Sequence, residues 1–189
     1  MAQARVLTQQ DLDKLLAHCA TTRNAARNRC IVLLQHYAAL RVSEVAALKL
    51  HNVLHADNTL KDELRLTAAQ VKEGRAAIVQ ISSKLRTELQ AFLATISVKE
   101  HSQALFTSER TGTHFNVNAL TQVVGALYRN AGIAGGSSHS GRRTAITRLA
   151  NAGVPVRQLQ AFARHTNIAT TQRYIDVNDE QLRAVVEKL

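Results

Sequence analysis

No Asp, Glu or Lys interrupts the stretch from Arg110 to Tyr174. The same stretch holds arginines 110, 129, 142, 143, 148, 157, 164 and 173. A solvated surface of mixed sign is excluded there, and an arginine fork suits phosphate oxygens. Proline occurs once and glycine only 8 times in 189 residues, which argues against long disordered linkers. Tryptophan is absent and aromatics make up 4%, while Ala and Leu dominate, which favours packed helices over a β-sandwich. The two cysteines, Cys19 and Cys30, are too few for a disulfide or zinc framework and read as reduced thiols of a cytosolic protein. No run approaches the roughly 18 apolar residues of a spanning helix. The polar start, Met1 to Gln10, does not read as a signal sequence. The net charge of +10 and pI near 10.3 call for a polyanionic partner, and nucleic acid fits better than membrane.

The chain reads as mainly α with one small antiparallel β-hairpin. Thr8-Gln9-Gln10-Asp11 resembles a capping box, opening a helix to about Ala20. A longer, more buried helix spans Asn24 to Leu40. Ser43 is a fair N-cap for a short helix ending near Leu50, and His51 to Leu60 reads as a loop. Alternation at Leu64, Leu66 and Ala68, and again at Ala76, Ile78 and Gln80, predicts a hairpin turning near Val71 to Arg75. Further helices are expected from Ser82 or Ser83 to Ile96, from Asn116 or Asn118 to Gly132, and from His139 to Asn151. Pro155 opens the next, which ends near Ala163, and Asn167 caps a short one that ends by Tyr174. Asn178 or Asp179 opens the last. Phe106 and Phe115 anchor the loop between the helix ending at Ile96 and the one opening at Asn116 or Asn118, and Gly135-Gly136-Ser137-Ser138 is a flexible approach to His139.

Six residues carry the chemistry. Arg41, His139, Arg142 and His165 are cations and N–H donors that can surround one phosphate. Fixed beforehand, they stabilise the charge that attack on phosphorus builds. Tyr174 can be the nucleophile; its phenol has a reference pKa near ~10, so neighbouring cations and a proton acceptor must assist it. Lys72, at the hairpin tip, is placed to protonate the leaving sugar oxygen, although an exposed turn lysine is the commonest kind and says little alone. Taken singly, His139 can be a helix cap, His165 a turn histidine and Tyr174 a core residue with a wet hydroxyl. Arg41 has a candidate carboxylate partner in Glu44.

The joint pattern narrows this. Leu40-Arg41-Val42-Ser43-Glu44-Val45, the His139-x-x-Arg142 box, His165 and Thr170-Thr171-Gln172-Arg173-Tyr174 together resemble the tyrosine recombinase (phage integrase) family, over about Leu7 to Leu189. The resemblance implies that fold, with residues 1–189 as a single catalytic domain and no N-terminal core-binding domain, as in the minimal recombinases that invert fimbrial promoter segments. It implies that Arg41, Arg142, His139 and His165 hold the scissile phosphate, that Tyr174 attacks, that Lys72 is the acid and that Glu44 supports the site. Lys61 and Lys84 are rivals to Lys72. Arg143, Arg148, Arg164 and Arg173 are candidate DNA contacts. Two positions depart from the pattern: Arg164 stands where the family often has Gly, and Ser140-Gly141 is smaller and more polar than usual.

The implied function is site-specific DNA breaking and rejoining through a 3′-phosphotyrosine, without metal, cofactor or ATP, by integration, inversion or resolution. The implied partner is double-stranded DNA in the cytoplasm, at the nucleoid. The implied assembly is a homotetramer on two sites, with a monomer free in solution. The closing helix, Asp179 to Leu189, either docks on a neighbouring protomer or packs on its own domain. A basic DNA-binding regulator without catalysis fits the charge equally well but has no need of all six residues. A type IB topoisomerase-like enzyme would use the same chemistry without exchanging partners.

Overall fold

The computed structural model describes residues 4–175 and 186–187. The chain forms two compact units, Met1–Ala145 and Ile146–Leu189. The expected closing helix lies outside the described residues, Val186 and Glu187 excepted.

In the first unit, α1 (Gln9–Thr21) opens on the expected capping box: the Asp11 amide donates to Thr8 Oγ1 at 3.0 Å and the Thr8 amide to Asp11 Oδ2 at 3.0 Å. Those bonds, with Arg5 beside them, hold the Asp11 carboxyl below its ordinary range. Helix α2 (Ala25–Tyr37) follows, and its run from Cys30 to His36 is buried without a break. It stops three residues earlier than its apolar pattern predicts, because Ala39 turns left-handed at φ 48° and the Leu40 amide folds back on the Leu34 carbonyl.

Helix α3 (Val42–Ala46) starts two residues earlier than a Ser43 N-cap would place it, with Arg41 at the N-cap position. The reason is Glu44: its carboxylate, rather than the Ser43 hydroxyl, accepts the Arg41 amide at 2.8 Å. The expected polar loop then begins with a short helix, α4 (Leu50–Val53). Strands β1 (Glu63–Leu66) and β2 (Ala77–Gln80) pair antiparallel, Leu64 opposite Val79 and Leu66 opposite Ala77. Leu64, Leu66 and Val79 are buried and Ile78 is exposed. The alternation held only within the strands. Ala68 departs into a 3₁₀ turn (Ala68–Gln70), and Ala76 precedes β2. Gln70 pins that turn by donating to the Ala47 carbonyl at 2.6 Å and to Asn52 Oδ1 at 2.8 Å.

Helices α5 (Ser83–Leu93) and α6 (Val117–Asn130) begin on Ser82 and Asn116, whose side chains accept the Leu85 and Ala119 amides. Phe106 and Phe115 are buried between them in sequence. The approach to His139 is packed rather than loose. A Cβ on Gly136 would lie 2.5 Å from the Tyr128 ring, so only glycine admits that contact. Helix α7 (Ser140–Asn151) begins in the first unit and ends in the second. In the second unit, α8 (Val156–Ala163) is preceded by Pro155 and α9 (Ile168–Gln172) is capped by Asn167.

Cys19 and Cys30 are both free and buried. Burial pushes the Cys19 thiol up to about 11 and the Cys30 thiol further. The thiolate is the reactive form, so iodoacetamide at pH 8 should leave the native protein unmodified and add to both cysteines in urea, read by intact mass. The sign of the linkage follows: the neutral thiols favour folding, and that contribution is lost as pH rises above about 9, where an unfolded thiol ionises. No helix among the described residues is long and apolar enough to cross a membrane.

Candidate active site

The turn between α2 and α3 gathers two of the predicted cations. Arg142 is 6% exposed, and its Nη1 donates to the carbonyl of Ala39. The left-handed twist at Ala39 presents that carbonyl, and Arg41 lies two residues on. One turn of backbone therefore fixes both arginines of the predicted set.

Arg41 is held by two carboxylates. Glu44 Oε1 accepts from Nη1 at 2.8 Å, and Glu73 Oε1 accepts from Nη2 at 2.7 Å. Glu44 is fully buried and also holds the Arg41 amide, so it fixes this side chain at root and tip. Glu44 is thus the carboxylate partner expected for Arg41, and it is joined by a second, Glu73. Glu73 was not foreseen. Its signal was its place next to Lys72 in an otherwise bland turn.

Two small contacts set the start of α7. Gln35 Nε2 donates to the Ser138 carbonyl at 2.9 Å, and a Cβ on Gly141 would meet Gln35 Cβ at 3.0 Å. The Ser140-Gly141 pair that departs from the family pattern is therefore what lets α7 approach α2 closely. Ser140 Oγ accepts the Ser137 amide at 3.0 Å, and Thr144 Oγ1 accepts the Leu7 amide at 2.8 Å. His139 sits at this helix start with its side chain exposed, its amide on Ser137 Oγ at 3.3 Å. Lys72 is exposed in the connection between β1 and β2, within a turn closed by Gly74 N–H donating to the Val71 carbonyl at 2.9 Å. Of its rivals, Lys61 gives its ammonium to the His51 carbonyl at 2.6 Å, and Lys84 lies exposed in the first turn of α5.

The second unit carries the other two residues, and it brings them together. The His165 and Tyr174 rings stack with centroids 5.8 Å apart and planes 25° apart. His165 Nδ1 lies 3.0 Å from Thr171 Oγ1, and Thr171 is fully buried. That bond fixes the ring and turns Nε2 to other partners. Gln160 Nε2 holds the His165 carbonyl at 3.0 Å, and the Tyr174 amide caps α9 on the Thr171 carbonyl at 3.0 Å. Thr171 belongs to the tyrosine box by pattern, without a role of its own there; its hydroxyl is what holds the His165 ring.

Arg164, just before His165, closes α8 with φ 55° and ψ 46°. That is left-handed backbone, where a Cβ is strained. The glycine often found here in the family is thereby explained. Arg164 Nη1 donates to the Phe162 carbonyl at 3.1 Å, so the side chain lies along its own helix end. Arg164→Gly and Arg164→Ala both lose the side-chain bond to Phe162, but only the glycine relieves the strain, so the glycine variant should melt roughly 2–4 °C above the alanine variant, the shift of about 1 kcal/mol at this length, read by calorimetry. Arg143 is half-buried, whereas Arg148 and Arg173 are exposed. A cavity of about 720 Å³ lined by Lys49, His51, Gln70 and His114, among others, holds none of the predicted site residues.

Within the first unit, two fixed guanidiniums are the kind of donors that suit phosphate oxygens; within the second, a held imidazole lies beside a phenol. The comparisons with known proteins agree on the fold. The catalytic domain of bacteriophage HP1 integrase matches with a TM-score of 0.69 at 20% identity, covering 98% of this chain and 95% of that one. The Tn1549 transposon integrase in complex with circular intermediate DNA matches at TM-score 0.76 and 17% identity, covering 100% of this chain and 68% of that one. In sequence, tyrosine recombinase XerA of Thermococcus kodakarensis is 31% identical over 187 residues, 97% of this chain. This chain spans 60–62% of the length of the XerA proteins that it resembles in sequence. The Phage integrase family model matches residues 5–181, so the arginine box, the His-x-x-Arg box and the tyrosine box all lie inside it, and the chain belongs to that family.

Proposed function

We propose that this chain is the catalytic domain of a site-specific DNA recombinase that breaks and rejoins strands through a 3′-phosphotyrosine. The observation that carries the reading is the turn at Ala39–Arg41, where the Ala39 carbonyl holds the buried Arg142 guanidinium and, two residues on, Glu44 and Glu73 hold the Arg41 guanidinium. Such a pair is costly to bury and answers the charge of a phosphodiester approaching its transition state.

In this reading Arg41, Arg142, His139 and His165 bind the non-bridging oxygens of the scissile phosphate. Tyr174 Oη attacks phosphorus, the P–O bond to the 5′ oxygen breaks, and Lys72 supplies the proton that oxygen needs. The phosphotyrosine retains the ester, so a second 5′ hydroxyl can reverse the step and rejoin a strand without ATP. Glu44 and Thr171 position Arg41 and His165. Arg143, Arg148, Arg164 and Arg173 contribute to binding double-stranded DNA, in line with the DNA that the Tn1549 integrase binds. Strand exchange requires two sites and four active sites, hence a tetramer, with the segment from Asp179 to Leu189 as the part of the chain that reaches a neighbour. Residues 1–189 act as one catalytic domain, working where the chromosome lies.

The test is covalent capture. The protein is incubated with nicked duplexes tiled across the DNA around its own gene, denatured, and resolved for a protein–DNA adduct. An adduct on one duplex is expected. Tight binding with no adduct on any tile would favour a regulator without catalysis.

A further inference from the structure

Arg41 is a cation that two carboxylates face, and the two are held very differently. Glu44 is fully buried and uses both oxygens, one on the Arg41 amide and one on Nη1. Glu73 uses one oxygen, on Nη2 at 2.7 Å; its other oxygen is shielded from solvent and has no hydrogen-bond partner. A shielded carboxylate oxygen without a donor is poorly compensated. Glu73 also sits in a turn whose neighbours Lys72, Gly74 and Arg75 are exposed, so little holds it besides the ion pair. Glu44 is thus the permanent partner of Arg41 and Glu73 the exchangeable one.

We infer that Glu73 is an internal competitor for the phosphate-binding nitrogen of Arg41. A phosphate oxygen and the Glu73 carboxylate are both anionic acceptors that suit the same fork, and a phosphodiester brought to Arg41 displaces Glu73 from Nη2. This rests on the reading of Arg41 as a phosphate ligand. It adds a specificity device: weak or misplaced phosphates do not outcompete a carboxylate already seated, and well-placed ones do. Because Glu73 adjoins Lys72, the exchange moves the turn that carries the proposed acid just as the phosphate arrives.

The probe is inorganic phosphate, followed by thermal shift, with random-sequence duplex as a second ligand followed by anisotropy. Glu73→Gln keeps shape and removes the charge, and Glu73→Ala guards against a neutral amide taking the same place. Both variants should bind phosphate roughly tenfold tighter than the wild type, and the duplex tighter as well. The gain should vanish when Arg41→Ala is added. Equal phosphate affinity in the wild type and both variants would overturn the inference, as would a gain that persists without Arg41. Neither measurement needs DNA cleavage. A failed covalent capture with a clear Arg41-dependent gain would therefore sink the recombinase reading and leave the competition standing.

Discussion

Tyr174→Phe binds duplex DNA within about twofold of the wild type and forms no covalent adduct. The substitution removes one oxygen and keeps the ring. The stack on His165 at 5.8 Å survives, and so does the amide bond that ends α9. No phosphate-binding group is touched, so affinity is retained. Of the two hydroxyls on α9, that of Thr171 is buried against His165 and that of the exposed Thr170 is an alkyl alcohol, far less acidic than the phenol it would have to replace. The loss is therefore complete rather than graded, and denaturing electrophoresis of a radiolabelled duplex reads it directly. An adduct of undiminished yield in the variant would remove Tyr174 from the mechanism and leave the His165–Tyr174 pair as packing.

Arg142→Ala lowers the rate of adduct formation by about 10²–10³, the scale of one lost preorganised donor at a developing oxyanion. It should also cost stability. The guanidinium is 6% exposed and bonded to the Ala39 carbonyl, and losing a buried hydrogen bond of this kind costs about 1–3 kcal/mol. At this chain length each kcal/mol is roughly 2–4 °C of Tm, so rates must be compared well below the variant's transition. Arg142→Lys separates the two effects. It keeps a charge but not the planar fork, and should recover more of the stability than of the rate. Wild-type cleavage by Arg142→Ala at 20 °C would show that the arginine pair is built for folding alone.

The parts of this molecule that were legible in the sequence are those decided by near neighbours. The Thr8–Asp11 box, the Asn167 cap and the buried run of α2 are local and formed where their pattern placed them, and Ser82 and Asn116 are each one of two neighbouring caps that the pattern offered. The errors fell where a distant or slightly offset group overruled a local preference. Glu44 moved the start of α3 away from Ser43, and Ala39 cut α2 short by adopting a conformation that its residue type does not advertise. The six candidate residues were visible because their spacing is unusual. Their supports were not: Glu73, Gln35, Thr171 and Gln160 are common polar residues whose roles exist only once the chain has brought them to Arg41, Ser138 and His165. Gly136 and Gly141 could be seen, but the close approaches that require them could not.

The contacts that set Arg142 and the start of α7 in the first unit span great lengths of chain. Arg142 meets Ala39 and Ser138 meets Gln35 across 103 residues, and Thr144 meets Leu7 across 137. Closing such loops is slow, and the nearer-neighbour helices form ahead of them. During synthesis α1 and α2 can pack against one another long before residue 142 exists. The arginine pair is thus a late feature of the first unit, and a chain interrupted partway through translation holds a folded start without the pair proposed to receive the phosphate.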